Sequence, residues 1–128
     1  MTERTLGILI SSHVPALAEG VVTLLKGSAP NIPITYAGGT DEGDIGASFE
    51  KLQAAVEANE GEEILAFYDL GSAMMTLQLV QEMSDKPIHL MDVALVEGAF
   101  TAAVLIHSGV SKDVIFKQLE PLKIKENA

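Results

Sequence analysis

The sequence alternates between short apolar runs and longer stretches in which apolar residues recur at helical spacing, and this alternation constrains the fold most. The apolar runs predict four strands, at residues 5–12, 32–37, 62–68 and 88–91. The amphipathic stretches predict five helices, at residues 14–25, 49–56, 72–83, 96–106 and 111–119. Ser48, Ser72 and Ser111 stand at helix starts, where a serine side chain can cap the first turn. Because such alternation over short connections is typical of parallel strands joined by right-handed crossovers, we predict a doubly wound α/β fold, with a mainly parallel central sheet and helices on both faces.

The composition favours one folded domain spanning residues 1–128. Hydrophobic residues make up 48% of the chain and charged residues 20%, which indicates a globular protein rather than a disordered one. The chain has no cysteine, which excludes disulfides and thiol catalysis. Its net charge of −10 disfavours binding to nucleic acid or to an anionic membrane, since both depend on lysine and arginine. With no signal-peptide pattern and no apolar run long enough to span a bilayer, we expect a cytoplasmic protein.

Polar or small residues directly follow each predicted strand, at the edge where an open parallel sheet binds its ligands. Four segments take this position: 11–13, 38–46, 69–72 and 91–92. His13 ends the first strand, and Asp69 ends the third, which in most doubly wound sheets lies beside the first. A carboxylate there can accept a hydrogen bond from one ring N–H and leave the other nitrogen as a nucleophile. The alternative interpretation is that His13 is a polar residue at a helix start, with Ser11 or Ser12 serving as the cap.

The surroundings of these two residues favour phosphoryl transfer. No serine lies in a nucleophile-elbow pattern, so the histidine is the best nucleophile candidate, and imidazole is largely neutral near pH 7. The glycine-rich loop 38–46 and the turn Gly71-Ser72 would let backbone N–H groups and a helix N-terminus approach a phosphoryl group. Each loop alone is equally well explained as an ordinary tight turn. Neither a P-loop nor a dinucleotide-binding fingerprint occurs, so we predict no bound cofactor.

The remaining candidate residues have structural interpretations. His89 lies within the fourth strand and His107 ends an apolar helix, and we expect both to be structural. No ligands occur at metal-site spacing, so we predict no metal ion. Met74 and Met75 are expected to pack in the core. The role of Glu97 is left open, since its side chain could support the loops of the site, lie in solvent, or lie at a dimer interface.

Four segments, taken in chain order, resemble the mannose-type EIIA family of the phosphoenolpyruvate-dependent phosphotransferase system (PTS). They are SHVPALAEG at 12–20, GGTDEGDIGAS at 38–48, DLGSAM at 69–74 and VEGA at 96–99. The resemblance spans nearly the whole chain. Within that family, the chain is most similar to the phosphocarrier subunits of PTS-dependent dihydroxyacetone kinases.

This resemblance implies a homodimeric α/β protein with a phosphohistidine at His13, whose imidazole Asp69 orients. It implies that the phosphoryl group is received by the backbones of Gly39, Thr40, Leu70, Gly71, Ser72 and Ala73. The carrier HPr would donate the phosphoryl group, and ADP held on the DhaL subunit would accept it for the phosphorylation of dihydroxyacetone. A positive mean hydropathy of +0.29 and the apolar helix 96–106 also favour a dimer, because they leave more apolar surface than so small a monomer usually hides.

Three other functions stay open from the sequence. The nearest is a stand-alone EIIA of a mannose-type sugar transporter, although the turn 69–72 is shorter than the double-glycine version typical of those domains. A non-catalytic regulatory module of the receiver type would have an acidic cluster after the first strand, where this chain has Ser11, Ser12 and His13. A hydrolase would need a nucleophilic serine that the sequence does not provide.

Overall fold

The computed structural model describes residues 5–124 and shows a four-stranded sheet between two layers of helices. The strands are β1 (Leu6–Ser12), β2 (Ile34–Gly38), β3 (Glu63–Tyr68) and β4 (Ile88–Met91). The α-helices are α1 (Pro15–Ser28), α2 (Phe49–Ala58), α3 (Met74–Met83), α4 (Leu95–His107) and α5 (Lys112–Leu119). Short 3-10 turns at Gly71–Ala73 and Glu120–Leu122 precede α3 and follow α5. All the strands and helices predicted from the sequence are present, with ends shifted by a few residues.

The four strands run parallel in the order β2-β1-β3-β4. β1 and β3 lie in the centre, and Ile8, Leu9 and Ile10 of β1 have no exposed surface. The register pairs Ser11 with Tyr68, so the residues that follow β1 and β3 lie side by side at the carboxyl edge of the sheet. This topology confirms the predicted fold class and the predicted adjacency of the first and third strands.

The helices cover the two faces of the sheet in separate groups, which explains why the central strands are apolar on both sides. On one face, Leu25 of α1 and Ile115 of α5 share a core cluster with Ile10 and with the alanines of α4. On the other face, Leu52 of α2 and Leu77 of α3 pack with Leu9. Each helix of the first three crossovers begins after the carboxyl end of a strand, so its N-terminus lies at that edge of the sheet.

The three serines at the helix starts differ in what they bind. Ser48 accepts a hydrogen bond from the Lys51 N–H at 3.1 Å, and Ser111 accepts one from the Val114 N–H at 3.4 Å, which confirms these two caps. The predicted cap at Ser72 is wrong. Ser72 lies inside the 3-10 turn, and α3 begins only at Met74, without a side-chain cap. The chain tightens into three residues per turn before the α-helix starts, and this moves the serine away from the capping position.

The C-terminal segment adds one antiparallel contact to the otherwise parallel sheet. Lys123 forms an isolated antiparallel bridge with Val93, and the N–H of Ile124 donates to the carbonyl of Asp92 at 3.1 Å. The tail, for which the sequence decided no structure, therefore lies along the residues that follow β4 as far as residue 124, and 125–128 lie outside the described residues. Among the helices of residues 5–124, none is both long and apolar enough to cross a bilayer.

Candidate active site

His13 lies in the short link between β1 and α1, at the carboxyl edge of the sheet. Its ring nitrogen Nδ1 is 2.8 Å from Oδ1 of Asp69, which directly follows β3, and each side chain is 13% exposed. The structure thus brings together the two residues that the sequence singled out, as the pairing of β1 with β3 requires. The pair of His13 and Asp69 is therefore held in place and still accessible from solvent. Its catalytic role stays a prediction.

Four hydrogen bonds fix the carboxylate of Asp69. Oδ2 accepts from the Ser12 hydroxyl at 2.9 Å and from the His13 backbone N–H at 3.0 Å, while Oδ1 accepts from the Leu70 N–H at 2.8 Å and faces the His13 ring. Burial raises the pKa of Asp69, but the hydrogen bonds from the His13 backbone and ring and from Ser12 outweigh it and hold the pKa below its ordinary value. Asp69 is therefore ionised at neutral pH.

The ionised carboxylate determines which ring nitrogen of His13 carries the proton. A carboxylate can only accept a hydrogen bond, so Nδ1 must be the protonated nitrogen that donates to Asp69. In the neutral ring, the lone pair is then on Nε2, which is 2.7 Å from Oγ of Ser72, and the Ser72 hydroxyl donates to it. Nε2 is therefore the nitrogen available as a nucleophile once the serine hydroxyl turns aside.

The glycine-rich loop after β2 closes against His13. The N–H of Gly46 donates to the His13 carbonyl at 3.0 Å, and the N–H of Gly39 donates to the Ser12 carbonyl at 3.2 Å. Gly39 has a φ of +75°, in the left-handed region that favours glycine because other residues have a Cβ that clashes there. The loop therefore depends on this glycine to return towards the histidine.

The residues predicted to bind a phosphoryl group all lie on the two loops that flank His13. They are Gly39 and Thr40 after β2, and Leu70, Gly71, Ser72 and Ala73 after β3. The N–H groups of Thr40, Leu70 and Ala73 donate within their own loops. Gly71 and Ser72 come first in the 3-10 turn, where a backbone N–H has no acceptor inside the helix. These two are the best placed of the set, and phosphoryl binding by all six stays a prediction.

Sequence reasoning missed two polar side-chain contacts at this edge. Ser12, considered only as a cap, donates to Asp69 and accepts from the Val14 N–H at 3.0 Å, which ties the carboxylate to the start of α1. The hydroxyl of Tyr68 donates to Oδ1 of Asp92 at 2.7 Å, and burial together with this contact raises the pKa of Tyr68. The only signal in the sequence was that each of these residues stands at or beside the end of a strand.

The other two histidines lie apart from His13, and His89 is structural as predicted. Its Nε2 bonds to the buried carboxylate of Glu63, which also accepts from Lys112 Nζ at 2.8 Å, and Phe116 packs edge-on against the ring at 5.2 Å. His107 is exposed at the end of α4. Within residues 5–124, no group of three or more histidine or acidic side chains is arranged to hold a metal ion.

The start of α3 is less buried than its apolar sequence indicates. Met74 packs against the core, as predicted, but the prediction is wrong for Met75, which is 77% exposed. A step of one residue turns a helical side chain by about 100°, which carries Met75 out of the core-facing side. Glu97, whose role was left open, is exposed in the first turn of α4.

A parallel α/β sheet with a carboxylate-bound histidine at its carboxyl edge is a fold and site suited to carrying a group on an imidazole nitrogen. The chain belongs to the mannose-type EIIA family, since the family model described as the PTS system fructose IIA component matches residues 7–116. This finding agrees with the resemblance seen in the four sequence segments.

Several curated relatives are named DhaM. The chain is 44% identical over 122 residues to the phosphotransferase subunit DhaM of the PTS-dependent dihydroxyacetone kinase of Lactococcus lactis, covering 95% of this chain and 99% of that protein. It is 41% identical over 119 residues to a phosphoryl donor subunit DhaM of Listeria innocua, covering 93% and 96%. The crystal structure of EF1359, a protein of unknown function, matches with a TM-score of 0.81 at 28% identity, covering 97% of this chain and 99% of that one.

Proposed function

We propose that this chain is the phosphoryl donor subunit of a cytoplasmic dihydroxyacetone kinase and carries the phosphoryl group on Nε2 of His13. The observation that carries the proposal is the 2.8 Å contact between His13 Nδ1 and Asp69, because it leaves the lone pair on the other ring nitrogen. Membership of the EIIA family and the similarity to two DhaM subunits support the pathway.

In the first transfer, phosphorylated HPr is the proposed donor. The lone pair of His13 Nε2 attacks the phosphorus in line, and the N–P bond to His13 forms as the bond between phosphorus and the HPr nitrogen breaks. The ring keeps its Nδ1 proton and becomes cationic, and the carboxylate of Asp69 compensates that charge. Since no proton has to leave the ring, the site needs no separate general base.

In the second transfer, ADP held on DhaL is the proposed acceptor. An oxygen of its terminal phosphate attacks the phosphorus, the N–P bond breaks, and His13 returns to the neutral ring as ATP forms on DhaL. Between the two transfers, the backbones of the loops around His13 hold the phosphoryl oxygens. The Ser72 hydroxyl, which faces Nε2 in the free site, can turn to donate to one of them. The phosphoryl group adds about two negative charges to the site, which such donors offset.

The test is phosphorylation of the purified chain by phosphoenolpyruvate, enzyme I and HPr. We expect a mass increase of about 80 Da, one phosphoryl group, that is lost in acid. Nitrogen NMR should place the phosphorus on Nε2 of His13. Addition of DhaL with ADP should discharge the labelled chain, while an EIIB domain should not; discharge by EIIB alone would instead support the sugar-transporter alternative. A chain that stays unlabelled in the presence of phosphorylated HPr would overturn the proposal.

We also propose that the chain forms a homodimer through the apolar surface of α4. Phe100, Leu105 and Ile106 pack against the core but stay partly exposed, which leaves apolar area on this helix for a second copy. Light scattering is expected to give twice the chain mass of 13.6 kDa. A species that stays at the mass of one chain at the concentrations used in the assay would contradict the dimer.

A further inference from the structure

A groove of about 550 Å³ runs along the outer edge of β2, the strand at one border of the sheet. It lies between α1 and α2, which cover opposite faces of the sheet. We call this space the β2 groove. Besides β2 itself, its lining consists of Pro15 and Lys26 from α1 and of Lys51, Ala54, Ala55 and Ala58 from α2. Neither His13 nor Asp69 lines it, so the groove is separate from the candidate active site.

The register of the sheet directs backbone groups of β2 into this groove. The N–H of Ile8 donates to the carbonyl of Pro33 at 2.9 Å, so residues 33, 35 and 37 are the ones that face β1. The alternate residues, Ile34 and Tyr36, therefore direct their N–H and carbonyl groups away from the sheet, and both residues line the groove. Such edge groups are a template on which an extended segment of another chain can add a strand.

The wall that α2 contributes leaves room for a strand beside β2. Its exposed side chains in the groove are those of Ala54 and Ala58, which are small and lie one turn apart. The hydroxyl of Thr35 donates to the carbonyl of Ala55 at 2.8 Å, which holds the helix against the strand. Tyr36 is 42% exposed and offers an aromatic side chain for cross-strand packing. The groove therefore has the width and the surface that an added strand needs.

The charged side chains that line the groove are basic. Within residues 5–124, Lys26 and Lys51 line it and no acidic residue does, although the whole chain has 18 acidic and 8 basic residues. Pairing of β2 with the β2 of a second copy would bring the lysines of two grooves together, and this like charge disfavours it. Carboxylates on a partner would instead complement both lysines.

The two lysines lie at different ends and on different sides of the groove. The amine of Lys51 donates to the carbonyl of Gly38, the last residue of β2, at 3.1 Å. Pro15, at the start of α1, lies against Gly38 as well, so Lys26 in the last turn of that helix lies towards the other end of the strand. The α1 and α2 sides of the groove belong to the two faces of the sheet.

We propose that the β2 groove binds an extended acidic segment of a partner protein, which adds to the sheet as a strand beside β2. The backbone of the segment bonds to the outward groups of Ile34 and Tyr36. Because side chains alternate between the two faces of a strand, carboxylates that meet Lys26 and Lys51 are an odd number of positions apart. At a rise of about 3.3 Å per residue, the length of β2 corresponds to a separation of about three or five positions.

The test uses two synthetic seven-residue peptides of threonine and valine, one with glutamate and the other with lysine at the second and fifth positions. Nitrogen-labelled chain is titrated with each peptide and followed by NMR. We expect the glutamate peptide to shift the amide signals of Ile34 and Tyr36 and to slow their hydrogen exchange, and the lysine peptide to do neither. Lys26→Gln should weaken binding of the glutamate peptide about threefold. The matched control Lys117→Gln, at an exposed position of α5, should leave it unchanged.

A backbone variant tests strand addition itself. Tyr36→Pro removes an N–H that the sheet does not use, at a position where an edge strand tolerates proline. Tyr36→Ala removes the same side chain and keeps the N–H. We expect the proline variant to bind the glutamate peptide about fivefold more weakly than the alanine variant. Circular dichroism checks that both are folded, and the lysine variants decide the question if the proline variant is not.

The proposal is overturned if the glutamate and lysine peptides bind alike, or if neither binds. Signals of Ile34 and Tyr36 that shift with the concentration of the chain alone would show that a second copy occupies the groove, which would also overturn it. Equal binding by folded Tyr36→Pro and Tyr36→Ala would rule out strand addition, and an equal loss in Lys26→Gln and Lys117→Gln would rule out the charge pairing. None of these measurements requires a phosphoryl donor, so their outcome is independent of the labelling of His13.

Discussion

The variant His13→Gln is expected to take up no phosphoryl group from HPr, while the unsubstituted chain becomes labelled. A glutamine amide nitrogen has no lone pair available for attack, because that pair is delocalised into the carbonyl. Its N–H can still reach towards Asp69, so the carboxylate is not left without a partner and the fold should persist. Intact-mass measurement checks the label. In the reconstituted kinase that contains DhaL, the formation of dihydroxyacetone phosphate should fall to the background rate.

The chain offers a matched control for this variant in His107→Gln. His107 is exposed at the end of α4 and lies apart from the site, so the same change of residue type there should leave labelling unchanged. Labelling of His13→Gln at the level of the unsubstituted chain would show that another residue accepts the phosphoryl group. His89 would then be the next candidate to test, although its ring is bound to Glu63.

The fold could be predicted from the sequence because its short apolar runs and its stretches of helical spacing are easily told apart. The apolar run in β1 and the helical spacing in α1 meet at His13, and the structure changes their bounds by only a few residues. The second strand begins at Ile34, two residues later than the apolar run. Pro33 has no N–H to contribute to a sheet, and it takes part only through its carbonyl, which accepts from the N–H of Ile8 at 2.9 Å.

The pairing of His13 with Asp69 could be predicted because it depends only on strand order. Residues that follow neighbouring parallel strands lie at the same edge of the sheet, and this does not depend on the conformations of their side chains. The hydrogen bond from Ser72 to Nε2 could not be predicted in this way. It depends on a three-residue 3-10 turn, and the same serine could equally have capped an α-helix.

Exposure was the other property that the sequence did not reveal. Met74 and Met75 have the same side chain and adjacent positions, yet only Met74 packs against the core. Which of two adjacent residues faces the sheet depends on their rotational positions around the helix axis. These positions are fixed by the residue at which the helix begins. An exposed apolar residue and a buried one of the same type cannot be told apart from composition.

The variant Asp69→Asn is expected to slow phosphoryl transfer to His13 by about a hundredfold or more, with the label still directed to the same residue. The amide nitrogen of the asparagine takes the place of one carboxylate oxygen, and a backbone N–H points at each of the two positions, that of Leu70 at Oδ1 and that of His13 at Oδ2. In either position the amide nitrogen faces a donor, so the variant loses at least one of the hydrogen bonds that fix the group beside the ring. At Oδ1 it would also face Nδ1 and favour the ring with its proton on Nε2, which removes the lone pair needed for attack. The variant also lacks the negative charge that compensates the cationic phosphorylated ring.

Single-turnover labelling with phosphorylated HPr measures this rate, and Asp85→Asn provides the control, because Asp85 is exposed and outside the site. The pH dependence of stability gives an independent check of the same carboxylate. The pKa of Asp69 is lowered in the folded chain, so its ionised form stabilises the fold above its unfolded pKa of about 3.9, and this contribution is lost as the pH falls towards the folded value. The stability difference between the unsubstituted chain and Asp69→Asn should therefore shrink below about pH 4. Transfer by Asp69→Asn at the unsubstituted rate would mean that the carboxylate does not control the nucleophile, and the role assigned to Asp69 would have to be withdrawn.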